Sequence, residues 1–363
     1  MKVLLCERNF DGHRKTYLEC LSKNEELDVY VFAPENVGVD QARFFKYNNL
    51  LDNKKIKTYI KWIKDINEIV KSNNIDIVHI LDGDSIMRFL GLGFSTIRAT
   101  RLIITYHHFF SGIYKRLSYK LMCFQNNRTV VVHTNSVKKE MENIGINNVV
   151  CCEYPVFNFY NISHKDKKIC RKIFGLNENE IVIGIVGGLC NYKRILSFLA
   201  ILQQCNLKFQ LLIAGLPGDI ELNDIIEVIK PYKERVKLVI RKLSDEEYEQ
   251  AIMACDIIYC LYGKEFNGAS GPLADGVCCQ KIILSCKHGS LGEIVENNEL
   301  GYCANVDDCN DVLNKTYMAI ESAGKFQYSK KALIFMESLK PEYFLKKYYN
   351  VYLSNNVDLQ KHE

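Results

Sequence analysis

Short apolar runs alternate with amphipathic stretches along almost the whole chain, and the alternation is broken once, near its middle. Lys2–Cys6, Asp28–Ala33, Ile75–Leu81, Leu102–Thr105, Thr129–His133 and Val149–Cys152 read as strands, the second stopped by Pro34. Asp11–Leu21 reads as a loop entering a helix, and Tyr59–Ser72 and Val137–Ile144 read as helices. Strands that take turns with helices pair in parallel, with the helices on both faces of the sheet. Pro155 and the polar run Asn161–Lys168 interrupt the series. A second series follows, with strands at Ile181–Val186, Phe209–Ala214, Val236–Ile240, Ile257–Leu261 and Lys281–Ser285 and a helix starting near Arg194. Glu342–Leu353, rich in Tyr and Phe, reads as a closing helix.

A chain of 363 residues is too long for one ordinary domain and suits two of roughly 150–200 residues each. The expected organisation is a first α/β domain over 1–155, a linker over 156–168, a second α/β domain over 169–340, and a C-terminal helix over 341–363 packing back toward the first domain. Two such halves leave a cleft, and open parallel sheets bind ligands beyond the carboxyl ends of their strands. Hydrophobic residues at 48% and charged residues at 25% describe a soluble globular chain able to bury two cores.

Net charge is +4, too small to argue for a nucleic-acid partner. It is unevenly spread: residues 1–155 carry 22 Lys and Arg against 17 Asp and Glu, so the basic surface lies in the first half. The 15 cysteines include no C-x-x-C pair, and several sit in apolar runs, among them Cys255, Cys260 and Cys286. They read as buried free thiols in a reducing compartment. Glu7 and Arg8 follow the first apolar run at once, unlike a signal peptide. No apolar run approaches the roughly 18 residues that span a bilayer. The expected location is the cytoplasm.

Four segments have residue types suited to a site at strand ends. In Ile181–Arg194 a strand runs into Gly187-Gly188, with Lys193 six residues after the first glycine. Glycines there let a ligand approach the backbone, and the lysine can neutralise phosphate. In Phe266–Asp275, Ser270 and Gly271 precede Pro272, which suits the first turn of a helix. The free N–H groups of that helix would face an anion such as a pyrophosphate, with Asp275 in the first turn positioned for a ribose. Thr105-Tyr106-His107-His108 follows an apolar strand, where a neutral imidazole can hydrogen-bond a sugar hydroxyl. His79 and His133 also follow strands and read as satisfied core histidines. Asn9–His13 places Gly12 between the first strand and first helix, without the G-x-G-x-x-G of a dinucleotide site.

Asp82-Gly83-Asp84 matches a metal-and-nucleotide triplet of another fold, but so short a pattern recurs by chance and reads here as loop. No cluster has metal-ligand spacing, so neither metal nor cofactor is expected. Lys54–Lys64 and Tyr114–Met122 mix cations with aromatic residues. Both fit either an anionic membrane surface or helices with one core face and one solvated face.

Taken in order, these segments resemble the GT-B glycosyltransferases, most closely the retaining family 4, over nearly the whole chain. Gly12-His13 resembles the family's N-terminal glycine loop and Ile103–His107 its strand ending in Thr-x-His. Val131–Ser136 with Tyr154-Pro155 resembles the last strands before the linker. Gly187-Gly188-Leu189-x-x-x-Lys193 is similar to Gly-Arg-Leu-x-x-x-Lys. Leu243–Tyr248 through Ala254–Ile257 resembles the helix and strand before the donor site, and Ser270–Asp275 with Lys281-Ile282-Ile283 the donor motif.

The resemblance implies two Rossmann-like domains whose parallel sheets face a central cleft. It implies transfer of a sugar from a UDP- or GDP-sugar to a glycan or lipid-linked acceptor. The transfer would be retaining, metal-independent and part of cell-surface polysaccharide synthesis at the inner face of the plasma membrane. Lys193 would bind the donor diphosphate with Ser270 and Gly271, and Asp275 would hold the ribose. Asn267 would touch the donor sugar, and His107 would lie beside it. Three departures stand out: Gly188 replaces the family's phosphate-binding Arg, Asn267 a carboxylate, and Gln280 and Ile282 the usual Gly and Pro. Arg194 is a candidate to compensate for the first. Two other readings stay open, a nucleotide-sugar epimerase and a non-catalytic homologue.

Overall fold

The computed structural model describes residues 1–10, 14–48, 55–99, 101–123 and 127–354. By their internal packing they form two units, Met1–Phe157 with Pro341–Glu363, and Asn158–Lys340.

Unit 1 runs β1 Lys2–Cys6, α1 Arg14–Ser22, β2 Asp28–Ala33, β3 Phe44–Lys46, α2 Ile56–Asn73, β4 Ile77–Ile80 and α3 Gly83–Ile86. It continues with β5 Arg101–Tyr106, α4 Ile113–Cys123, β6 Arg128–Val132, α5 Asn135–Asn143 and β7 Val149–Cys151. The strands pair in the order β3-β2-β1-β4-β5-β6-β7, all parallel. Successive residues of a strand point to opposite faces, and the sheet's two faces accordingly carry two cores. Leu4, Cys6, Val78, Ile80, Ile104 and Val132 pack with Tyr59 and Trp62 of α2. Val3, Leu5, Ile77, Ile103 and Val131 pack with Tyr17 and Leu18 of α1.

The last helix of the chain joins the second of these cores through Phe344, Tyr348, Val351 and Tyr352, which are at most 3% exposed. Burying each such ring stabilises by about 2–3 kcal/mol. Its hydroxyls are also satisfied. Tyr352 bonds His79 Nδ1 at 2.7 Å, Tyr348 bonds Thr105 Oγ1 at 3.2 Å, and the Tyr17 and Tyr348 hydroxyls bond each other. His79 Nε2 reaches Thr105 Oγ1 at 2.8 Å, so both ring nitrogens are used, as expected of a core histidine.

Unit 2 begins with α6 Phe159–Ser163 and α7 Lys167–Ile173. Both fall partly or wholly in the segment expected to be a linker. Phe159 and Ile162 are buried, and Asn158 Nδ2 donates to Glu249 Oε1 at 2.7 Å. The polar run reads as loop because its few apolar side chains are too sparse to show a period. Beyond it come β8 Val182–Val186, α8 Ile195–Leu202, β9 Gln210–Gly215, α9 Leu222–Ile229, β10 Val236–Ile240 and α10 Asp245–Ala254. Then follow β11 Ile257–Cys260, α11 Gly271–Cys278, β12 Ile282–Cys286, α12 Gly289–Asn297, β13 Gly301–Ala304, α13 Cys309–Ser322 and α14 Lys330–Ser338. The helix Pro341–Leu353 of unit 1 is α15. The second sheet is also parallel, ordered β10-β9-β8-β11-β12-β13. Gln280, where the resemblance expects Gly, turns the chain from α11 into β12 with φ +52°, a backbone region that glycine enters without strain.

In both sheets the first strand of the series lies between the second and the fourth, so the order in which strands are added reverses beside it. The crevice beyond the carboxyl ends at such a reversal is where open α/β sheets bind ligands. It falls between β1 and β4 in unit 1 and between β8 and β11 in unit 2.

Candidate functional site

In unit 2, β8 ends in Gly187, whose φ of +95° is left-handed. A Cβ there would lie 3.6 Å from both Lys193 Nζ and Pro272 Cγ, so Gly187 sits between the lysine and the start of α11. Gly215, ending β9, approaches so closely that a Cβ on it would meet Gly187 O at 1.9 Å. Only glycine lets the two strand ends touch in this way.

Lys193 is 6% exposed. Its backbone carbonyl accepts from the Tyr259 hydroxyl, and its Nζ stands 5.4 Å from the centroid of the Tyr262 ring. Among the described residues it makes no salt bridge and no side-chain hydrogen bond. Burial pushes its pKa below the ordinary lysine value. Such an ammonium is costly to hold without an anion.

The anion-facing partner is α11. Ser270 caps it, its Oγ accepting from Leu273 N at 3.5 Å and lying 3.2 Å from the Tyr262 hydroxyl. Pro272 occupies the first turn, where its missing N–H costs nothing. Asp275 lies one residue beyond that turn rather than within it, so it does not answer the helix dipole. Its Oδ2 instead accepts from the Tyr248 hydroxyl of α10 at 2.6 Å. Burial raises its pKa to about 7, opposed by that hydrogen bond.

The loop before α11 carries Phe266, stacked on Tyr192 with centroids 5.4 Å apart, and Asn267, whose buried Oδ1 has no hydrogen-bond partner among the described residues. Ser290 of α12 ties this loop down, donating to Gly268 O at 2.6 Å. Gly188 has open space: the nearest atom to a Cβ there is Cys190 Sγ at 3.8 Å. Arg194 does not fill it. Its Nη2 donates to Val306 O at 3.0 Å and its Nη1 pairs with Asp307 at 3.3 Å, at the start of α13.

Of the residues singled out in the sequence, the structure therefore brings Gly187, Lys193, Ser270 and Gly271 together, with Asp275 one turn along. Tyr248 and Tyr262 went unseen. Tyr262 lies two residues beyond the end of β11, among apolar residues that gave no sign of a site, and only the packing of α10 against α11 brings Tyr248 to Asp275.

In unit 1, His107 follows β5 directly. Its backbone N donates to Asp84 Oδ2 at 2.8 Å, and its Nε2 is 3.0 Å from Leu81 O, so Nε2 carries the proton and Nδ1 is bare. Burial lowers its pKa, partly opposed by Asp82, and keeps the ring neutral. The Asp82-Gly83-Asp84 triplet is a short helix rather than loop. Asp82 caps α3 through Ser85 N at 3.2 Å and pairs with Arg14. Gly83 packs so tightly that a Cβ would meet Ile104 and Tyr106 at 2.7 Å. Asp84 holds His107.

Glu7, 1% exposed, lies beside them, accepting from Arg8 N at 2.7 Å with Arg14 Nη1 at 3.9 Å. Burial first, then Asp82, raises its pKa to about 8, and the same two causes bring Asp84 to about 8. His133 is less satisfied than a core histidine should be. Its Nδ1 bonds Cys152 O at 2.8 Å, but its Nε2 has no partner among the described residues, 4.9 Å separating its ring centroid from that of His107. Gly12 lies outside the described residues. Among the described residues no group of three His, Cys, Asp or Glu side chains is placed to hold a metal ion, and no helix is long and apolar enough to cross a membrane.

No protein-family model matches the sequence, and no curated protein matches it. Solved structures match across the whole chain. A glycosyltransferase from Rickettsia africae has a TM-score of 0.74 at 16% identity, over 100% of this chain and 99% of its own. Sucrose-phosphate synthase from Thermosynechococcus elongatus has a TM-score of 0.76 at 14% identity, over 97% and 98%. Anabaena HepE in complex with UDP has a TM-score of 0.75 at 15% identity, over 97% and 99%. The chain thus has the GT-B fold, two Rossmann-like domains each built on a parallel sheet.

Proposed function

We propose that this chain is a glycosyltransferase that takes a sugar from a nucleotide-sugar donor bound in unit 2. The observation that carries the reading is the buried Lys193 ammonium, without an ion-pair partner among the described residues and set against Gly187 and the N-terminus of α11. A cation and a helix end converging at the reversal of a parallel sheet match the charge of a diphosphate. That HepE is a UDP complex supports UDP as the base carrier.

In the proposed reaction the bond between the anomeric carbon and the diphosphate oxygen breaks, and the acceptor oxygen bonds to that carbon with retention, its proton passing to the departing diphosphate oxygen. Negative charge grows on the leaving diphosphate, where Lys193 and the N–H groups of Ser270 and Gly271 stabilise it without a metal. The Asp275 carboxylate accepts from the ribose hydroxyls. Asn267 contacts the donor sugar through its unpartnered Oδ1. His107, neutral and fixed by Asp84 and Leu81, offers its bare Nδ1 to a sugar hydroxyl. The acceptor is a glycan on a lipid carrier, and the product a cell-surface polysaccharide made on the cytoplasmic side.

One observation favours a non-catalytic homologue instead: Gly188 leaves a gap where the resembling family has an arginine, and Arg194 is committed to Asp307. A thermal-shift screen against UDP, GDP, ADP and their sugars separates the two, since a ligand well above its Kd stabilises by a few kcal/mol (about 2.7 at 100 Kd). A selective shift followed by hydrolysis or transfer of the sugar supports the enzyme. A shift without turnover supports the homologue, and no shift with any nucleotide removes the donor site.

A further inference from the structure

Glu7 and Arg8 leave the end of β1 toward opposite faces of the sheet. Glu7 turns its Oε1 back to the N–H groups of Arg8, at 2.7 Å, and Asn9, at 3.2 Å, and lies on the side of Arg14. The Arg8 side chain goes to α2 instead. Its Cζ stands 5.3 Å from the ring centroid of Trp62, 5.8 Å from that of Phe89 and 5.9 Å from that of Tyr59. Ring faces attract a guanidinium, and Arg8 is held among them with 3% of its surface exposed. Two more polar groups lie in the same cluster. Tyr59 and Trp62 are fully buried, and among the described residues neither the Tyr59 hydroxyl nor Trp62 Nε1 has a hydrogen-bond partner. A buried polar group left unsatisfied costs about 1–3 kcal/mol, so two within one cluster call for an explanation that packing does not give.

The chemistry of the cluster says what fits it. A guanidinium, an indole N–H and a phenol O–H can all donate, and only the phenol can also accept. The start of α2 has the same sign. Lys55 stands at its N-cap and gives the first-turn N–H groups no side-chain acceptor. Side chains of a helix lean toward its N-terminus, which carries the rings of Tyr59 and Trp62 toward that end. Lys55, Ile56 and Lys57 are exposed, so this end of the helix opens to solvent. An oxyanion answers every one of these groups: it accepts several hydrogen bonds at once, and its charge matches both the guanidinium and the helix end. A neutral hydroxyl could take one of the donors and would match neither charge.

We infer that the cluster of Arg8, Tyr59 and Trp62 in unit 1 binds an oxyanion, a carboxylate or a phosphate, carried by the acceptor. That the oxyanion belongs to an acceptor rests on the proposed function; that it binds at this cluster does not. Trp62 is the only tryptophan of the chain, so its emission reports on the cluster alone. Full-length protein without nucleotide is titrated at constant ionic strength with glucuronate, glucose 6-phosphate and glucose. An acidic sugar is expected to change the Trp62 emission saturably, and glucose to leave it unchanged. Saturation by glucuronate at the lower concentration supports a carboxylate as the group bound, and by glucose 6-phosphate a phosphate. Arg8→Gln is expected to weaken the response about 10- to 100-fold, the loss of a charged hydrogen-bond donor. Tyr59→Phe is expected to weaken it about 5-fold without lowering the melting temperature, since the hydroxyl removed has no partner in the free protein. Tyr59→Phe decides the matter by itself if Arg8→Gln does not fold. No saturable response in the parent overturns the inference, as does a response to glucose equal to that of the acidic sugars, or one that neither variant weakens. Failure of the donor reading shows differently, as a parent with no thermal shift by any nucleotide and an intact Trp62 response.

Discussion

The two sheets reverse their strand order in the same way and place different chemistry at the reversal. In unit 2 the crevice beside β8 holds a buried cation, Lys193, and the positive end of α11. In unit 1 the crevice beside β1 holds Glu7, Asp82 and Asp84 around one guanidinium, Arg14. Topology puts both sets of residues at strand ends, but it does not choose their sign. An anion is drawn to the first crevice, whereas in the second Glu7 and Asp84 are protonated at neutral pH and Asp82 is paired with Arg14, which leaves no free cation there for one. The acids of unit 1 have a different use, holding His107 in place through its backbone and supplying the field around its ring.

The most direct way to break this contrast is Lys193→Ala. Turnover is expected to fall by about 100- to 1000-fold, in the range of losing one donor to a transition-state oxyanion. The melting temperature without nucleotide should not fall, because an unpaired buried charge has been removed. A normal rate, measured with the donor identified by thermal shift, would end the case for Lys193.

The acidic crevice makes its own prediction about pH. Glu7 and Asp84 hold protons up to about pH 8 in the folded chain, against ordinary values of 4.5 and 3.8. The folded state therefore binds more protons than the unfolded state between these limits. The stability that they contribute is complete below the unfolded values and lost as pH rises through 8. Urea unfolding should show stability falling from about pH 7 to pH 8.5, above the range in which the buried neutral His79, His107 and His133 give the opposite slope. Glu7→Gln should flatten that slope, whereas Asp275→Asn should leave most of it.

A smaller effect is expected at Tyr248. Removing its hydroxyl with Tyr248→Phe takes away the hydrogen bond that opposes burial at Asp275. The carboxyl then titrates higher, by about one unit, since one such bond is worth about 1 kcal/mol. Nucleotide binding followed by calorimetry should weaken at neutral pH and recover at alkaline pH. A pH profile identical to the parent would show that Asp275 does not take part.

The smallest effect sharpens the contrast instead of breaking it. Gly188→Arg enters open space, so stability should change by less than about 0.5 kcal/mol, while affinity for a nucleoside diphosphate should rise several-fold through an added cation. The equivalent gain should be absent for a nucleoside, which carries no phosphate.

The alternation of apolar runs and helices was enough to read two parallel α/β sheets, because burial on both faces writes itself into every strand. The glycine–lysine segment and the Ser-Gly-Pro segment could be read for the same local reason: a turn after a strand and the first turn of a helix each demand particular residues. The helices within 156–168 were not legible, since a polar run becomes helical there only by docking Phe159 and Ile162 onto unit 2. Nor was the α3 turn at Asp82–Asp84, where Gly83 is required by β5 and not by its neighbours in sequence.

What the sequence determined by itself is the order of elements and the residues standing at their ends, since propensity, capping and periodicity act over a few positions. Tertiary structure alone decided which of those residues meet. It set Lys193 against α11, Tyr248 against Asp275 and His107 against Asp84, and it left Arg194 bound to Asp307 rather than free for a phosphate. Those pairings join residues far apart along the chain, and distance across a fold is set by how the sheets pack, which no local rule encodes.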